Sequence, residues 1–393
     1  PEIAKSPDSG IVEVWKMGFT VPDVIGLWVG AGDLPTTRFI CDAAAKALNE
    51  GHTFYTHKRG IPELRQALTD YYKKHWNVAL GDDRIAVTSS GMNAMTLLAQ
   101  ILCGAGDNAI CVTPVWPNIF AAIEIMGAEV RQVALTGDEK GWHLDLEKLF
   151  AACDARTKAI YIASPGNPTG WMMPEEQRRA LLDFARKKRI AILADEVYAR
   201  LVYDRAVAPS FLEIAEPEDP VFVVNSFSKT WAMTGWRIGF ASNPLLAPMF
   251  TRWITNTESC ASQISQWAAV EAINGPQEAA EAMKASFLSR RDLIVRLLND
   301  VPGVSCLVPG GAFYVWPNVT EACRMIGAAD SEDFRKRLLN EAGVALLADI
   351  HFGMRVPGEG QHVRFSYAAS NEAIEKGIAR MAAFIRKNTQ KAA

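Results

Sequence analysis

The sequence predicts an α/β protein: a mostly parallel sheet sandwiched by helices, with a smaller α+β domain beside it. Two features of the pattern lead there. From about residue 80 to 245, short β-rich runs alternate with longer amphipathic ones, and after about residue 290 the chain changes character. Size agrees, since 393 residues, 49% of them hydrophobic, can form two domains and a large apolar core without disulfides or metals.

Strands are expected at Arg84 to Thr88, Asn108 to Thr113, Lys158 to Ala163, Ile190 to Ala194, Val221 to Asn225 and Arg237 to Ala241. Nearly continuous apolar strands belong to a sheet covered on both faces. Helices are expected at Asn93 to Leu102, Ile119 to Met126 and Pro174 to Lys188, where Pro174, Glu175 and Glu176 suit a first helical turn. Further on, helical patterns over Asp330 to Ala342 and Asn371 to Lys387 flank short strands near Ala312 to Trp316 and His362 to Tyr367. Residues 1–44, punctuated by Gly and Pro without a clear period, are assigned to the small domain as an arm. The expected division is 45–290 for the large domain, and 1–44 with 291–393 for the small one.

Composition narrows the function. Lys and Arg number 41 against 44 Asp and Glu, a formal charge of -3 with no basic block, which argues against nucleic acid or an anionic membrane as the main partner. Small-molecule chemistry is the better expectation. Seven cysteines show no C-x-x-C pair and no metal-ligand spacing to the six histidines, so buried reduced thiols and no metal are expected. No pattern of a transmembrane helix or signal peptide is found. The first residue is Pro1 rather than Met, which reads as a processed or trimmed start, and a cytoplasmic location is inferred.

In an open parallel sheet, ligands sit beyond the carboxyl ends of the strands, where loops and helix N-termini converge. The residues after these strands are unusual: Ser89, Ser90 and Gly91, then Trp116, Asn167, Asp195 with Tyr198, and Ser226, Ser228 and Lys229. The Ser90, Gly91, Met92 turn into a helix offers backbone N–H groups and a positive dipole end to a phosphate, or is a plain N-cap. Asp195 ends an apolar strand, where a carboxylate is costly unless it faces a cation, accepts strong hydrogen bonds or caps the next segment. Lys229 lies between an apolar strand and a Trp/Met-rich stretch, a setting for a desolvated, nucleophilic amine, although most loop lysines are solvated. Arg237 could reach the same anion as Ser226, or make a surface ion pair.

Two rival motifs fail. Ser226-x-x-Lys229 matches the nucleophile of penicillin-binding enzymes, but neither S-D-N nor K-T-G follows it. Gly30-Ala31-Gly32 could open a dinucleotide fingerprint, but Asp33, Leu34 and Pro35 stand where a helix should begin.

Taken together, the chain resembles the class I/II pyridoxal-phosphate-dependent aminotransferases, of the aspartate aminotransferase family and fold type I. The markers run over nearly the whole chain: Tyr55-x4-Gly60-x3-Leu64-Arg65, Ser90-Gly91, Pro114-x-Trp116, Asn167-Pro168-Thr169-Gly170 and Asp195-Glu196-x-Tyr198. They continue as Ser226-x-Ser228-Lys229, Gly235-x-Arg237-x-Gly239 and Arg364-x-Ser366. Each alone is common; all in this order are specific.

The resemblance implies pyridoxal 5'-phosphate as cofactor and a role for each matching residue. Lys229 would join the cofactor's aldehyde and, once displaced, carry the proton between the substrate's α-carbon and the cofactor. Asp195 would pair with the pyridinium nitrogen, and Asn167 and Tyr198 would hydrogen-bond the phenolic oxygen. Trp116 would stack on the ring. Ser90, Gly91, Met92, Ser226 and Arg237 would hold the phosphate, with Tyr55 reaching it from the other subunit of a homodimer. Arg364 would grip the substrate α-carboxylate, helped by Asn167 and the backbone at Gly30. The implied reaction is ping-pong amino transfer from an α-amino acid to a 2-oxo acid, 2-oxoglutarate by default. A β-lyase or related elimination enzyme on the same fold is the alternative, and a non-catalytic regulator is disfavoured by the intact Lys229 and Arg364.

Three departures bear on the substrate. Met92 stands where several aspartate-specific relatives carry a lysine, which puts a dicarboxylate preference in question. Ala348-Asp349 replaces a frequent Pro-Gly, leaving His351 and Arg355 as either substrate contacts or solvated loop residues. The segment Trp15 to Phe19 reads either as an apolar lid favouring larger or apolar side chains, or as a structural arm.

Overall fold

The computed structural model describes residues 2–5, 10–18, 20–242 and 247–392; Phe19 of the expected lid segment lies outside them. Seven strands make the main sheet. They are β1 (Ile85–Thr88), β2 (Asn108–Thr113), β3 (Glu129–Ala134), β4 (Thr157–Ala163), β5 (Ala191–Asp195), β6 (Val221–Ser226) and β7 (Gly239–Ser242). Their order is β1-β7-β6-β5-β4-β2-β3, with β7 antiparallel to both neighbours and every other pairing parallel.

Alternation along each strand feeds two apolar layers. Ile85, Val87, Ile110, Val112, Ile160, Ile162, Ile192 and Val223 face one layer, with helices Arg38–Asn49, Pro62–Trp76, Glu175–Lys188 and Gln263–Asn274 packed on it. Ala86, Ala109, Cys111, Ala159, Leu193, Phe222, Val224 and Ala241 face the other, under helices Gly91–Leu102, Asn118–Glu124 and Ala247–Thr257. Period-two alternation is what a pleated strand imposes. Each fully buried Ile, Val, Leu or Phe contributes about 1.5–3 kcal/mol, so the sheet is held from both sides.

A second core gathers Ile25 and Leu27 with residues from Met283 to Ile385. Here β8 (Tyr314–Val315), β9 (Leu347–Ala348) and β10 (Val363–Ser366) pair antiparallel in the order β8-β10-β9. Helices Ser331–Ala342 and Asn371–Ala392 cover it, and Ile25–Gly26 pairs in parallel with Val344–Ala345. The early chain is thereby stitched to the C-terminal core.

Four expectations are corrected. The edge strand β3 went unforeseen because Glu129–Ala134 is half polar, as an edge allows. The stretch read as aperiodic contains a helix, Gly10–Gly18, and the start of another, Arg38–Asn49. The strand expected from Arg237 begins at Gly239, since Arg237 has φ 51° and cannot continue a ladder. The helix expected from Asn93 begins at Gly91, because Ser90 caps it by accepting the Asn93 N–H at 2.9 Å.

Candidate active site

A cavity of about 480 Å³ opens beyond the carboxyl ends of β4, β5 and β6, within the range of small-ligand pockets. Its lining brings together Gly30, Gly91, Met92, Trp116, Asn167, Asp195, Tyr198, Ser226, Lys229, Arg237 and Arg364. These eleven were all expected at a site from the sequence. Chain positions up to 334 apart meet here because β4 to β6 end on one edge, while β10 and the early chain close the opposite wall.

Lys229 sits on the short helix Phe227–Thr230 directly after β6. Its Nζ donates to the Gly30 carbonyl at 2.6 Å and lies 5.8 Å from the Tyr198 ring centre and 5.7 Å from that of Phe313. Burial and then the nearby Arg364 charge lower this amine to about 8, with Asp195 opposing. A lysine so placed is about one-tenth neutral and nucleophilic at pH 7, far more than an ordinary solvated lysine.

Asp195 is the last residue of β5 and is buried. Burial raises its carboxyl above the ordinary range, against the Tyr161 hydroxyl, the Val197 N–H and the Lys229 charge. Tyr161 donates to Oδ2 at 2.7 Å, and the Val197 N–H to Oδ1 at 3.2 Å. The carboxylate therefore stays on the cavity wall, held from behind by a phenol the sequence did not single out. In sequence Tyr161 is merely one aromatic residue in a strand.

Arg364, on β10, is buried. Its Nη1 donates to Asn167 Oδ1 at 2.9 Å and its Nη2 to the Trp28 carbonyl. The guanidinium carbon lies 4.3 Å from the Tyr314 ring centre and 4.9 Å from that of Phe352. Its Nε is buried with no hydrogen-bond partner, an unfilled donor of the kind a carboxylate satisfies. Tyr198 and Tyr314 share a hydrogen bond at 3.0 Å, and burial pushes the Tyr198 phenol well up.

The far end of the cavity is a backbone cradle. A Cβ on Gly239 would come within 2.4 Å of the Gly91 nitrogen, so β7 presses its backbone against the first turn of helix Gly91–Leu102. Ser226 Oγ accepts the Ser228 N–H at 3.1 Å and donates to Ser228 Oγ at 2.9 Å. Arg237 extends from a left-handed backbone, its Nη1 donating to the Thr234 carbonyl at 2.7 Å.

Some expected residues fall elsewhere. Ser90 is not among the residues lining the cavity; its hydroxyl oxygen accepts the Asn93 N–H as the helix cap, which still leaves an O–H donor for an anion at that turn. Ser89 turns away to Glu258, at 2.5 Å. Tyr55 is 82% exposed and away from the cavity of its own chain. Neither His351 nor Arg355 lines it, nor are they plain solvated loop residues: His351 pairs with Glu332 at 3.3 Å, and Arg355 with Asp349 and Asp330 at 2.8 and 2.9 Å. Residues with no earlier signal also take part, among them Tyr161, Tyr314, Trp28, Ile11 and Val12.

Cys41, Cys153 and Cys260 are only partly buried, whereas Cys103, Cys111, Cys306 and Cys323 are buried, and all seven are unpaired. Among the described residues no group of three or more His, Cys, Asp or Glu could hold a metal ion, and no helix is long and apolar enough to cross a membrane.

The fold and the cavity define an enzyme whose buried lysine works beside a carboxylate and a buried arginine at the edge of a parallel sheet. The family model for aminotransferase class I and II matches residues 22–381. The aspartate aminotransferase of Bacillus subtilis (strain 168) is 35% identical over 371 residues, covering 93% of this chain and 92% of that protein. The crystal structure of the aspartate aminotransferase from Rhizobium meliloti superposes with a TM-score of 0.89 at 31% identity, over 98% of each chain. The aromatic aminotransferase from Pyrococcus horikoshii OT3 gives a TM-score of 0.86 at 29% identity, over 97% of this chain and 100% of that one. The chain belongs to the class I and II aminotransferase family and is a transaminase. Membership implies pyridoxal phosphate as cofactor and amino and oxo acids as substrates.

Proposed function

We propose that this cavity binds pyridoxal 5'-phosphate through Lys229 and moves an amino group from an α-amino acid to a 2-oxo acid in a ping-pong cycle. The observation that carries this is the desolvated Lys229 amine, set in one cavity with buried Asp195 and with Arg364, whose Nε has no partner.

The residues fit the group. The first turn at Gly91 and Met92, with Ser226 and Arg237, supplies N–H, hydroxyl and guanidinium donors for a phosphate. Buried Asp195 suits a cationic ring nitrogen, which would offset the cost of burying its charge. Trp116 offers a face to the ring, and Asn167 and Tyr198 offer donors to a phenolic oxygen. When bound, the cofactor supplies a carbon that takes the amino group and a ring that absorbs the electron pair released at the substrate's α-carbon.

The chain's own residues do the rest. Arg364 binds the α-carboxylate by two N–H groups and, with Asn167, fixes the orientation of the α-C–H bond. Lys229 Nζ would accept the α-proton and return it at the acceptor carbon, a role that suits an amine desolvated by burial. Asp195, held by Tyr161, keeps the ring nitrogen protonated.

The same reading assigns residues 45–290 to a cofactor domain and 1–44 with 291–393 to a smaller one, with overlap at both bounds, since Ile40 and Ala44 pack in the sheet core and Met283 and Phe287 in the second; the cavity lies between the cores. It also includes a homodimer in which Tyr55 of one protomer reaches the phosphate held by its partner, supported by the exposure of Tyr55 and of Phe54 beside it. Lys229→Ala should abolish turnover while far-UV circular dichroism stays unchanged. Near-normal turnover in that variant would overturn the assignment, as would release of ammonia instead of stoichiometric amino transfer.

A further inference from the structure

Among the described residues lining the cavity, three are cationic: Lys229, Arg237 and Arg364. Each already has a task, as reacting amine, phosphate ligand and α-carboxylate ligand. No fourth cation of this chain, among the described residues, lines the cavity for a second carboxylate on the substrate; one supplied by the partner protomer is the alternative that the comparison with aspartate decides.

The wall next to Arg364 is apolar instead. Trp28, whose carbonyl takes the Arg364 Nη2 hydrogen bond, lines the cavity together with Val29 and with Ile11, Val12 and Trp15 of helix Gly10–Gly18. That helix is firmly seated. Val14 packs into a cluster with Trp316, Leu347 and Phe352, the ring beneath the Arg364 guanidinium, and Ile11 and Trp28 pack against the same cluster. Glycine at both ends permits the approach: a Cβ on Gly10 would come within 2.2 Å of His351 Nδ1, and one on Gly18 within 2.5 Å of Trp28 Cη2. Ile11, Val14, Trp15 and Gly18 follow the i, i+3, i+4, i+7 spacing of one helix stripe; Val14 and Gly18 on it are buried, while Ile11 and Trp15, with Val12 beside them, line the cavity.

Resting on the amino-transfer reading of this cavity, we propose that its amino donor carries an apolar side chain, aromatic or branched aliphatic, and that aspartate and glutamate are poor donors. With the α-carboxylate on Arg364, whose Nη2 donates to the Trp28 carbonyl, the donor side chain shares the cavity with the wall of Ile11, Val12, Trp15 and Trp28. An aromatic or branched chain there covers apolar surface, and Val12 and Trp15 are 45% and 49% exposed without it. A carboxylate in the same place would lose its water with no further cation of this chain to pair it. The aromatic aminotransferase among the structural relatives shows that this fold accommodates such a donor.

The test uses the loaded enzyme and two readouts. In single-turnover reactions followed by cofactor absorbance, phenylalanine and leucine should exceed aspartate in kcat/KM by about 100-fold or more, the discrimination expected when a charge meets an apolar pocket. By calorimetry, the unreactive 3-phenylpropionate should bind more tightly than succinate. Trp15→Ala should shrink the ratio of phenylalanine to alanine kcat/KM by about tenfold. Aspartate turning over as fast as phenylalanine, or succinate binding more tightly, overturns the apolar donor while leaving amino transfer intact. An unchanged ratio in Trp15→Ala overturns the role of the helix. Ammonia release, or no amino transfer from any donor, overturns the underlying function, and the calorimetric comparison then still decides the character of the pocket.

Discussion

Replacing Lys229 by methionine should stabilise the cofactor-free protein, and do so only below a defined pH. The amine falls from its ordinary 10.5 to about 8 in the fold, chiefly through burial. At about 1.4 kcal/mol per tenfold change, holding it protonated in place costs up to about 3 kcal/mol. Water in the cavity and the bond to the Gly30 carbonyl, lost in the variant, reduce the net gain to about 1–2 kcal/mol. The sign follows from proton counting. Between pH 8 and 10.5 the unfolded chain binds more protons at this site than the folded one, so wild-type stability rises with pH there. Below 8 the full cost is present. Lys229→Met should therefore raise the urea midpoint of the cofactor-free protein at pH 7 and lose that advantage by pH 10.5. The same titration predicts that cofactor capture by the wild type speeds up with a midpoint near 8. Equal midpoint differences at both pH values, or capture with a midpoint near 10, would show that the amine is not desolvated and remove the ground for calling it nucleophilic.

Two further substitutions probe its neighbours. Tyr161→Phe removes a 2.7 Å charge-assisted bond from a carboxyl already raised by burial. The folded value rises further, so the cofactor-free variant should lose more stability at pH 7 than at pH 4, and cofactor affinity should fall by about tenfold. Fluorescence titration with pyridoxal phosphate and paired thermal melts check both. Arg364→Lys exchanges a fork for a single ammonium, so KM for the donor should rise by about 100-fold with cofactor affinity little changed, measured by steady-state kinetics beside the same titration.

How much of this was legible in the sequence depends on distance along the chain. Asn108–Thr113 and the cores of five other strands could be read because a strand buried on both faces must be apolar throughout. The edge strand Glu129–Ala134 and the helix Gly10–Gly18 could not, the first being half solvated and the second short and bounded by glycine at both ends. At the site, residues that end strands stood out because a lysine or carboxylate there is chemically odd. Tyr161 and Trp28 look ordinary in place, and their roles exist only through partners at Asp195 and Arg364, 34 and 336 positions away. Ser90 shows the opposite limit, since a cap and a phosphate donor have the same local signature and are compatible: the oxygen accepts the Asn93 N–H while the O–H can still donate.

Three polar links cross from the sheet side of the cavity to the opposite wall: Lys229 to the Gly30 carbonyl, Asn167 to Arg364, and Tyr198 to Tyr314. All three pass through groups that a bound cofactor or substrate would engage for itself. Part of the joint between the two cores is therefore made of the same atoms as the reaction centre, beside links outside it such as the Ala312 N–H to the Leu201 carbonyl and the Val115 N–H to the Phe352 carbonyl. Loading the site exchanges these three protein-to-protein tethers for tethers that run through the ligand, so this part of the stiffness between the cores becomes a function of occupancy. Amide exchange in β8 and β10, set by how often that joint opens, should then report each half of the cycle without any probe on the substrate.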